Sequence, residues 1–439
     1  MEETIVAPAT PPGRGGISII RISGPSSVVV GKDLCGNLPS PGLLKPCSIS
    51  NEKSSFVDSG LVVFFKAPHS YTGEDVIEIH CHGNPLIVDS IIEAAVSFGA
   101  RVAEPGEFTK RAFLNEKIDL AQAESVLDLI SAQTFSAVVA ANASLVGEFS
   151  SLVNKAIDSL IKTRTLVEAC LDFSDEDSVE VFSERKKEIL SLLEEGSFNL
   201  NKLLEGSSVG SKMRDGIRVV ILGPPNCGKS TLLNLLAQEK VAIVSDDPGT
   251  TRDLLRVSVD VKGVPVEFVD TAGLRGQTSV DVEIEGMKRA LAITESSDLV
   301  VLMSCVGEAF DANLPTSCKT LRLFNKIDIF SERKREPNAV YMSALTGGGL
   351  EDFIESIFSS LGLGVGVEVP VLARRRHISL LHEALGFLDS ASGAIDSGVD
   401  LVVVAEDLRE AQTCLGLITR PLSSDELLGS IFSEFCIGK

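Results

Sequence analysis

Residues 223–230, with the sequence GPPNCGKS, carry the residue types that bind a nucleotide phosphate. A short apolar run at 217–222 predicts a buried strand before them, and the apolar residues of 231–236 follow at helical spacing. Glycines let backbone N–H groups close around phosphate oxygens, and the N-terminus of a helix adds partial positive charge. Lys229 can neutralise the β- and γ-phosphates, while the Ser230 hydroxyl can ligate Mg²⁺. The order strand, glycine loop, Lys-Ser and helix therefore predicts a phosphate-binding loop.

Three further segments follow in the order that a guanine-nucleotide site requires. A predicted strand at 264–269 ends in Asp270, which can hold Mg²⁺ through water. A second strand, 321–324, is followed by Asp328, whose carboxylate can accept both N–H donors on the N1/N2 edge of guanine. Adenine offers no such pair of donors, and the loss of that pairing gives strong discrimination. The predicted GTP-binding residues are Asn226, Cys227, Gly228, Lys229, Ser230, Thr231, Ser245, Thr250, Thr251, Asp270, Thr271, Ala272, Gly273, Asn325, Lys326, Asp328, Ser343 and Ala344.

The residues that would hydrolyse GTP depart from the Ras-like pattern. Ras-type enzymes orient the attacking water with a glutamine after the DxxG segment, but here that residue is Leu274. The segment 281–285 offers acidic side chains instead. Asn226, with backbone carbonyls from 245–250, is able to hold a monovalent cation where other enzymes place an arginine finger. A residue that merely shapes the loop explains Asn226 equally well, and the sequence leaves both interpretations open.

The composition limits the class of protein. A chain of 439 residues predicts two to four domains at about 100–200 residues each. The net charge of −21 argues against a surface that grips nucleic acid all over. No apolar run approaches the length of a membrane span, the N-terminus lacks a signal-peptide layout, and the nine cysteines include no CxxC pair. We therefore expect a cytoplasmic protein without a membrane segment, zinc site or disulfide framework.

The first 115 or so residues predict a mixed α+β domain. Alternating apolar residues predict half-buried strands at 16–22 and 75–80, and the run 61–65 predicts a strand buried on both faces. Helical spacing covers 84–98, with Pro85 suited to the first turn. Three segments rich in glycine, proline and polar residues predict loops, at 11–16, 71–75 and 105–111.

From residue 118 to about 204 the pattern becomes helical. Apolar residues recur every seven positions in two series, which predict one core-facing stripe; they are Val138, Leu145 and Leu152, then Val153, Leu160 and Val167. The segment 206–211 predicts a flexible linker. Three more helices are predicted at 371–395, 400–418 and 425–435. Because three such helices bury little alone, we expect all three to pack on the earlier helices, with the nucleotide domain inserted between them.

These segments resemble the MnmE (TrmE) family of bacterial tRNA-modification GTPases along essentially the whole chain. Outside the nucleotide motifs, the resemblance depends on residues 9–16, 21–24, 71–75, 111–117, 372–377 and 435–439. It implies an α+β N-terminal folate-binding and dimerisation domain, an α-helical bundle and an inserted α/β P-loop (Ras-like) G domain. The implied boundaries are 1–117, 118–213, 214–363 and 364–439.

The resemblance also implies an activity. Such a GTP hydrolase forms a homodimer whose G domains meet in a K⁺-dependent manner. With an FAD-containing partner, MnmG (GidA), it forms a heterotetramer. The complex installs an aminomethyl-type or carboxymethylaminomethyl group at C5 of the wobble uridine of certain tRNAs. The one-carbon donor is 5,10-methylene- or 5-formyl-tetrahydrofolate.

Matching the family motifs residue by residue assigns individual roles. The implied Mg²⁺ ligands are Ser230 and Thr251, and the implied K⁺ ligands are Asn226, Ser245, Asp247 and Thr250. The implied water-orienting acid is Glu283, with Glu285 as the alternative because one extra residue precedes this segment. The implied folate-binding residues are Arg21, Glu78, Lys117 and Lys439, and Cys436 is either a reactive thiol beside the folate or a structural cysteine. The chain departs from the family pattern at Asn84, where a second glycine is usual, and at Pro224, where arginine is usual.

An alternative function is a ribosome-assembly GTPase, a binding switch with related nucleotide motifs. Such proteins carry a basic RNA-binding module, whereas the residues after 363 show no GXXG loop and no strong basic excess. Their one dense basic cluster is 374–376, which is more typical of a solvated or ion-paired helix face than of an RNA reader.

Overall fold

A computed structural model describes residues 3–51, 55–171, 175–239, 255–270, 294, 296–308, 310–312, 314–316, 318–329, 336–363, 372–397, 401–420 and 425–438. The chain divides into two units, one of Met1–Leu127 with Leu415–Lys439 and one of Asp128–Cys414. The four domain boundaries expected from the sequence remain predictions.

The first unit contains a six-stranded sheet with the strand order β3-β4-β5-β2-β1-β6. β1 and β6 run parallel, and the other neighbours run antiparallel. Residues of β2, β5, α1 and α2 form its main apolar core. The elements are β1 (Ile5–Pro8), β2 (Gly15–Ser23), α1 (Ser27–Cys35), β3 (Leu44–Ser50), β4 (Phe56–Phe65), β5 (Val76–Gly83), α2 (Pro85–Ser97), β6 (Arg101–Val102) and α3 (Glu107–Leu114).

The strands predicted at 16–22 and 75–80 and the helix predicted at 84–98 are present as β2, β5 and α2. The Asn84 side chain caps α2 by accepting a hydrogen bond from the Leu86 amide, so asparagine is a suitable residue at this position. The strand predicted at 61–65 is only partly buried. The loop predicted at 105–111 is wrong in part, because α3 begins at Glu107 after Gly106 in a left-handed conformation.

Four helices follow, of which the last two are long. They are α4 (Leu120–Ser131), α5 (Phe135–Leu145), α6 (Glu148–Leu171) and α7 (Asp175–Asp215). The linker predicted at 206–211 is wrong, because α7 continues through it. Ser207 is fully buried there, so the small side chains serve close packing on a helix face rather than flexibility. No single described helix is long and apolar enough to cross a membrane, although α5 and α6 together, bent by 49°, meet that test of length and composition.

The two heptad series do not form one stripe. Gly147, at φ 94°, lies between α5 and α6, so the first series spans two helices and Leu152 is 45% exposed. The second series lies wholly on α6, and all three of its members are buried. A seven-residue spacing marks one helix face only where the helix is continuous. The second series lies on one continuous helix and therefore faces the core, whereas the first series does not.

The nucleotide segment forms a second six-stranded sheet, of order β12-β11-β10-β7-β9-β8. All neighbours are parallel except the β8–β9 hairpin. Its strands and helices are β7 (Ile217–Leu222), α8 (Lys229–Glu239), β8 (Leu255–Val261), β9 (Val264–Asp270), β10 (Leu299–Cys305), β11 (Thr320–Asn325), β12 (Ala339–Tyr341) and α9 (Leu350–Ser360). The central strands β7, β9 and β10 are mostly apolar on both faces, as a covered parallel sheet requires, with Arg218 and Glu267 paired across β7 and β9.

The last described helices are α10 (Arg375–Ser397), α11 (Leu401–Thr419) and α12 (Asp425–Ser433). α10 packs along α7, where Lys186 donates a hydrogen bond to the Ile395 carbonyl at 3.2 Å. Arg164 of α6 contacts Gln412 of α11 at 2.7 Å. α12 packs on α3 of the first unit, and its packing on the earlier helices stays a prediction.

Basic residues 374–376 lie where α10 begins. Arg374 is ion-paired with Asp128 at 2.9 Å, and both side chains are largely buried. The sequence predicts a solvated or an ion-paired helix face for this cluster, and Arg374 is ion-paired.

Leu160→Ala should lower the opening free energy of α6 by about 2–5 kcal/mol, because it deletes a buried side chain and leaves a cavity. Leu152→Ala, on the same helix, should change it by no more than about 0.5 kcal/mol. Amide hydrogen exchange of α6 peptides in the full-length protein measures both effects. Equal losses in the two variants would contradict the assignment of the core face.

Candidate guanine-nucleotide site

The phosphate-binding loop connects the carboxyl end of β7 with α8, as the sequence predicts. Lys229 is buried, and its ammonium group donates hydrogen bonds to the carbonyls of Gly223 and Pro224, each at 2.9 Å. Ser230, the next residue, is exposed in the first turn of α8. The ammonium group is therefore held at the loop, and the hydroxyl lies where a metal ion can reach it.

Backbone constraints explain the glycines of this loop. Gly228 has φ 103°, and a Cβ added there would overlap the Asn325 side-chain amide. A Cβ at Gly223 would overlap the Met303 carbonyl of β10. Asn226 adopts φ 61°, a left-handed conformation that asparagine tolerates better than most residues. Close approach therefore requires both glycines, and the positive φ is a further requirement at Gly228 alone.

Asn325 joins the loop to the segment predicted to bind the base. Its side-chain Nδ2 donates to the Cys227 carbonyl at 2.8 Å, and its Oδ1 accepts from the Ala344 amide at 2.8 Å. Asn325 is 2% exposed, so both bonds are shielded from water. The sequence indicates Asn325 as a nucleotide-site residue but gives no sign of this bridging role, because its partners lie 98 and 19 positions away.

The base-binding segments meet at the ends of β11 and β12. The Ser343 hydroxyl donates to Asp328 Oδ1 at 2.6 Å, which orients the carboxylate predicted to read guanine. Directly after β11, the chain turns toward Asp328 through Lys326, at φ 67°. Asp328 is exposed while Ser343 is buried, so the carboxylate is held from below and left open to a ligand.

Asp270 ends β9 beside the phosphate-binding loop. It is fully buried and lies opposite Ile221 of β7 in the register. This places its carboxylate one strand away from the loop that carries Ser230, as a metal-linked aspartate requires.

The Cys227 thiol, within the loop, is also buried. Burial raises its pKa, although the neighbouring Lys229 charge opposes the shift. Cys227 is therefore a neutral packing residue. Its backbone carbonyl accepts from Asn325, and its sulfur lies 3.9 Å from the Lys229 ammonium nitrogen.

Several predicted site residues lie outside the residues that the structure describes. They are Ser245, Asp247, Thr250, Thr251, Thr271, Ala272, Gly273, Glu283, Glu285 and Lys439. The described members of the predicted nucleotide site converge at the carboxyl ends of β7, β9 and β11, and their individual roles remain predictions.

A second polar cluster lies on the sheet of the first unit. Arg21 and Glu78 are direct cross-strand neighbours on β2 and β5, and their side chains form an ion pair at 2.8 Å. The Arg21 guanidinium lies 5.3 Å from the ring centre of Tyr71 and 5.7 Å from that of Phe108. It also donates to the Gly438 carbonyl at 3.4 Å. The two aromatic residues and the tail carbonyl are parts of this cluster that the sequence did not indicate.

Lys117 is predicted to belong to the same cluster. Its ammonium group donates to the Pro68 carbonyl at 2.9 Å. Its stem lies against Gly73, within the 71–75 loop that also carries Tyr71. The described contacts therefore place Lys117 beside the loop that packs on Arg21.

A buried ion-pair network fixes that loop to α3. Arg111 bonds Glu74 at 3.1 Å and Glu107 at 3.0 Å, and Glu74 accepts from the Ser23 hydroxyl at 2.6 Å. Burial would raise the pKa of Glu107, but hydrogen bonds from Arg101, the Glu104 amide and Arg111 lower it to about 2. Glu107 thus stays ionised, and the loop and helix that carry Tyr71 and Phe108 are held together by charge.

The strand, loop and helix at Lys229, with the linked guanine-reading segment at Asp328, define a guanine-nucleotide-binding protein of the P-loop class. Residues 120–436 match the model of the MnmE helical domain, and residues 4–117 match that of the GTP-binding protein TrmE N-terminus. The tRNA modification GTPase MnmE of Nitrosomonas europaea is 43% identical over 451 positions, covering 100% of this chain and 99% of that protein. Those of Legionella pneumophila (strain Corby) and Coxiella burnetii (strain RSA 493) are 42% and 40% identical, with the same coverage. The chain belongs to the MnmE family and is a GTPase.

Gly228→Ala should weaken GDP binding by at least about tenfold, or 1.4 kcal/mol, because the added Cβ displaces Asn325 and strains a left-handed residue. Gly348→Ala is the matched control, since its backbone has an ordinary φ and its added Cβ makes an ordinary contact. Isothermal titration of the full-length variants with GDP measures both. Unchanged affinity in Gly228→Ala would show that the close approach to Asn325 does not support the site.

Proposed function

We propose that this protein hydrolyses GTP to drive the modification of the wobble uridine, at C5, in certain tRNAs. The observation that carries the proposal is the full-length relationship to tRNA modification GTPases, combined with a phosphate-binding loop that Asn325 links to the guanine-reading segment. The proposed cellular location is the cytoplasm. The ribosome-assembly alternative gains no support from Arg374, the first residue of the basic cluster, since it is paired with Asp128.

The proposed nucleotide chemistry uses two cations. Mg²⁺ would be held by Ser230 and Thr251 and would neutralise charge on the phosphates. K⁺ would be held by the Asn226 side chain and by the backbone of Ser245, Asp247 and Thr250. The left-handed Asn226 lies on the exposed side of the loop, which fits a side chain offered to a ligand.

The water that attacks GTP needs an acceptor, because Leu274 replaces the usual glutamine. The proposed acceptor is Glu283, with Glu285 as its alternative. A carboxylate there would orient the water, while K⁺ and Lys229 offset the charge that develops on the phosphates. Closure of the G domains of a homodimer would complete the site, and hydrolysis would release them.

The proposed folate site is the Arg21–Glu78 cluster, with Lys117 and Lys439. The donor set fits a reduced folate, because a carboxylate pairs with the amino-pyrimidinone edge of a pterin while cations bind its glutamate tail. Glu78 keeps one oxygen clear of Arg21, which bonds only Oε1. When bound, the folate, as 5,10-methylene- or 5-formyl-tetrahydrofolate, would supply the one-carbon unit.

The remaining partners are also proposals. The homodimer would act with the FAD-containing partner MnmG (GidA) as a heterotetramer on tRNA. The net charge of −21 supports the need for a partner in tRNA binding, because so acidic a chain gains little affinity for tRNA from charge alone.

Replacing K⁺ with Na⁺ at equal ionic strength should slow GTP hydrolysis by at least about tenfold, because a fixed charge beside the phosphates is lost. Asn226→Ala should hydrolyse GTP equally slowly in both salts. Asn234→Ala, on the exposed face of α8, is the control and should keep the K⁺ response. Equal wild-type rates in K⁺ and Na⁺ would rule out the cation site.

Glu78→Gln should weaken binding of 5-formyl-tetrahydrofolate by at least about tenfold, because the charged acceptor for the pterin edge is lost. Glu93→Gln, exposed on α2, should bind like the wild type. Calorimetric titration of the full-length variants gives the affinities, and GDP affinity, which should not change, checks folding. Wild-type affinity in Glu78→Gln would refute this assignment.

A further inference from the structure

The β8–β9 hairpin connects the nucleotide site with the helices of the second unit. At one end, Leu255 pairs with Asp270, which also lies opposite Ile221, two residues before the phosphate-binding loop. At the other end the two strands turn through Lys262 and Gly263. Seven residues of extended chain place these ends roughly 20 Å apart. In the sequence, Thr251, an implied Mg²⁺ ligand, precedes β8, and Asp270 ends β9, so the ribbon joins two predicted nucleotide-site segments to one distant turn.

The turn is rigid. Lys262 has φ 54° and Gly263 has φ 86°, the positive values that a two-residue type I′ hairpin requires. The Gly263 amide donates to Asp260 Oδ1 at 2.8 Å, which closes the turn. The register between β8 and β9 is unbroken along the hairpin. A displacement at the Asp270 end is therefore carried to the turn rather than absorbed by it.

The turn is fastened to α5 by one hydroxyl group. Thr134 Oγ1 donates to the Gly263 carbonyl at 2.8 Å and accepts from the Ala137 amide at 3.1 Å. Thr134 is the N-cap of α5, so the same atom holds the start of the helix and the tip of the hairpin. A Cβ on Gly263 would overlap Ser136, which shows how closely the turn lies on the first residues of α5. Thr134 is 5% exposed, so water cannot replace this link.

α5 in turn touches the points at which the chain enters and leaves the nucleotide sheet. Ala140 and Ala141 pack on Leu372, just before α10, and Met213 of α7 packs against the same cluster. Met213 also packs on the core of the nucleotide sheet. The Ser144 hydroxyl donates to the Leu372 carbonyl at 3.5 Å. A shift of α5 would therefore act on both connections, α7 and the start of α10.

We propose that the β8–β9 ribbon transmits the nucleotide state to the helices of the second unit through the Thr134 hydroxyl, which makes Thr134 a positioning residue of the GTPase cycle. The proposal depends on that cycle but not on the folate, K⁺ or tRNA assignments. Only the bound nucleotide has to be varied to test it, so GDP and a non-hydrolysable GTP analogue are sufficient probes.

The test compares amide hydrogen exchange of residues 135–145 in the full-length protein with GDP and with the GTP analogue. Wild type and Thr134→Ser, which keeps the hydroxyl, should show exchange rates that differ between the two nucleotides by at least about threefold. Thr134→Val should lose this difference while binding GDP within about twofold of wild type. Loss of the helix cap alone speeds exchange in both nucleotide states, so the difference between states reports the coupling.

Three results would overturn the proposal: equal α5 exchange in both nucleotide states of the wild type, a preserved difference in Thr134→Val, or loss of GDP binding in a Thr134→Val protein that circular dichroism shows to be folded. If Thr134→Val does not fold, Gly263→Asn provides the second variant, since asparagine tolerates the positive φ. Its Cβ pushes the turn away from Ser136, and the nucleotide-dependent difference should disappear. Adding Ser136→Gly should restore the difference by making room, and failure to restore it would count against the proposal.

Discussion

The nucleotide site depends on one buried amide. Asn325 accepts from the Ala344 amide and donates to the Cys227 carbonyl, so the loop for the phosphates and the loop for the base share a side chain. Gly228 has to be glycine because that amide occupies the space of a Cβ. Hydrogen bonds shielded from water are costly to leave unmade, so the two loops keep one mutual arrangement. The spacing between the phosphate-binding loop and the segment predicted to bind guanine is thereby fixed.

The two sheets position their sites by different means. In the parallel nucleotide sheet, the strands end along one edge, and the segments that directly follow β7 and β11 meet there because of the topology. In the N-terminal sheet, Arg21 and Glu78 meet because antiparallel register places them opposite each other on one face. Packing of aromatic rings and the Arg111 network then fix the loop above them. The predicted nucleotide site lies at strand ends, whereas the Arg21–Glu78 cluster lies on a strand face.

The errors of prediction share a cause. The linker expected at 206–211 is buried helix, and the loop expected at 105–111 contains the start of α3. In both segments, small residues suggest a flexible backbone. Ser207 and Gly106 are instead small because neighbouring atoms lie close to them. Similarly, periodicity identified Leu160 and Leu152 alike as core, since spacing does not reveal where a helix stops. The local sequence pattern gives a preference for one backbone conformation, and tertiary packing decides whether the chain adopts it.

The sequence alone determined the class of site, because the order of glycines, lysine, serine and aspartates is dictated by phosphate and guanine chemistry. It also determined most strands and helices, since apolar periodicity is a local property. Only the tertiary structure decided that Asn325 bridges two loops, that Tyr71 and Phe108 flank Arg21, that α12 packs on α3 and that Thr134 caps α5 while holding Gly263. Each of these contacts joins residues far apart in the chain, and nothing local in a sequence specifies which distant partner fills a given space.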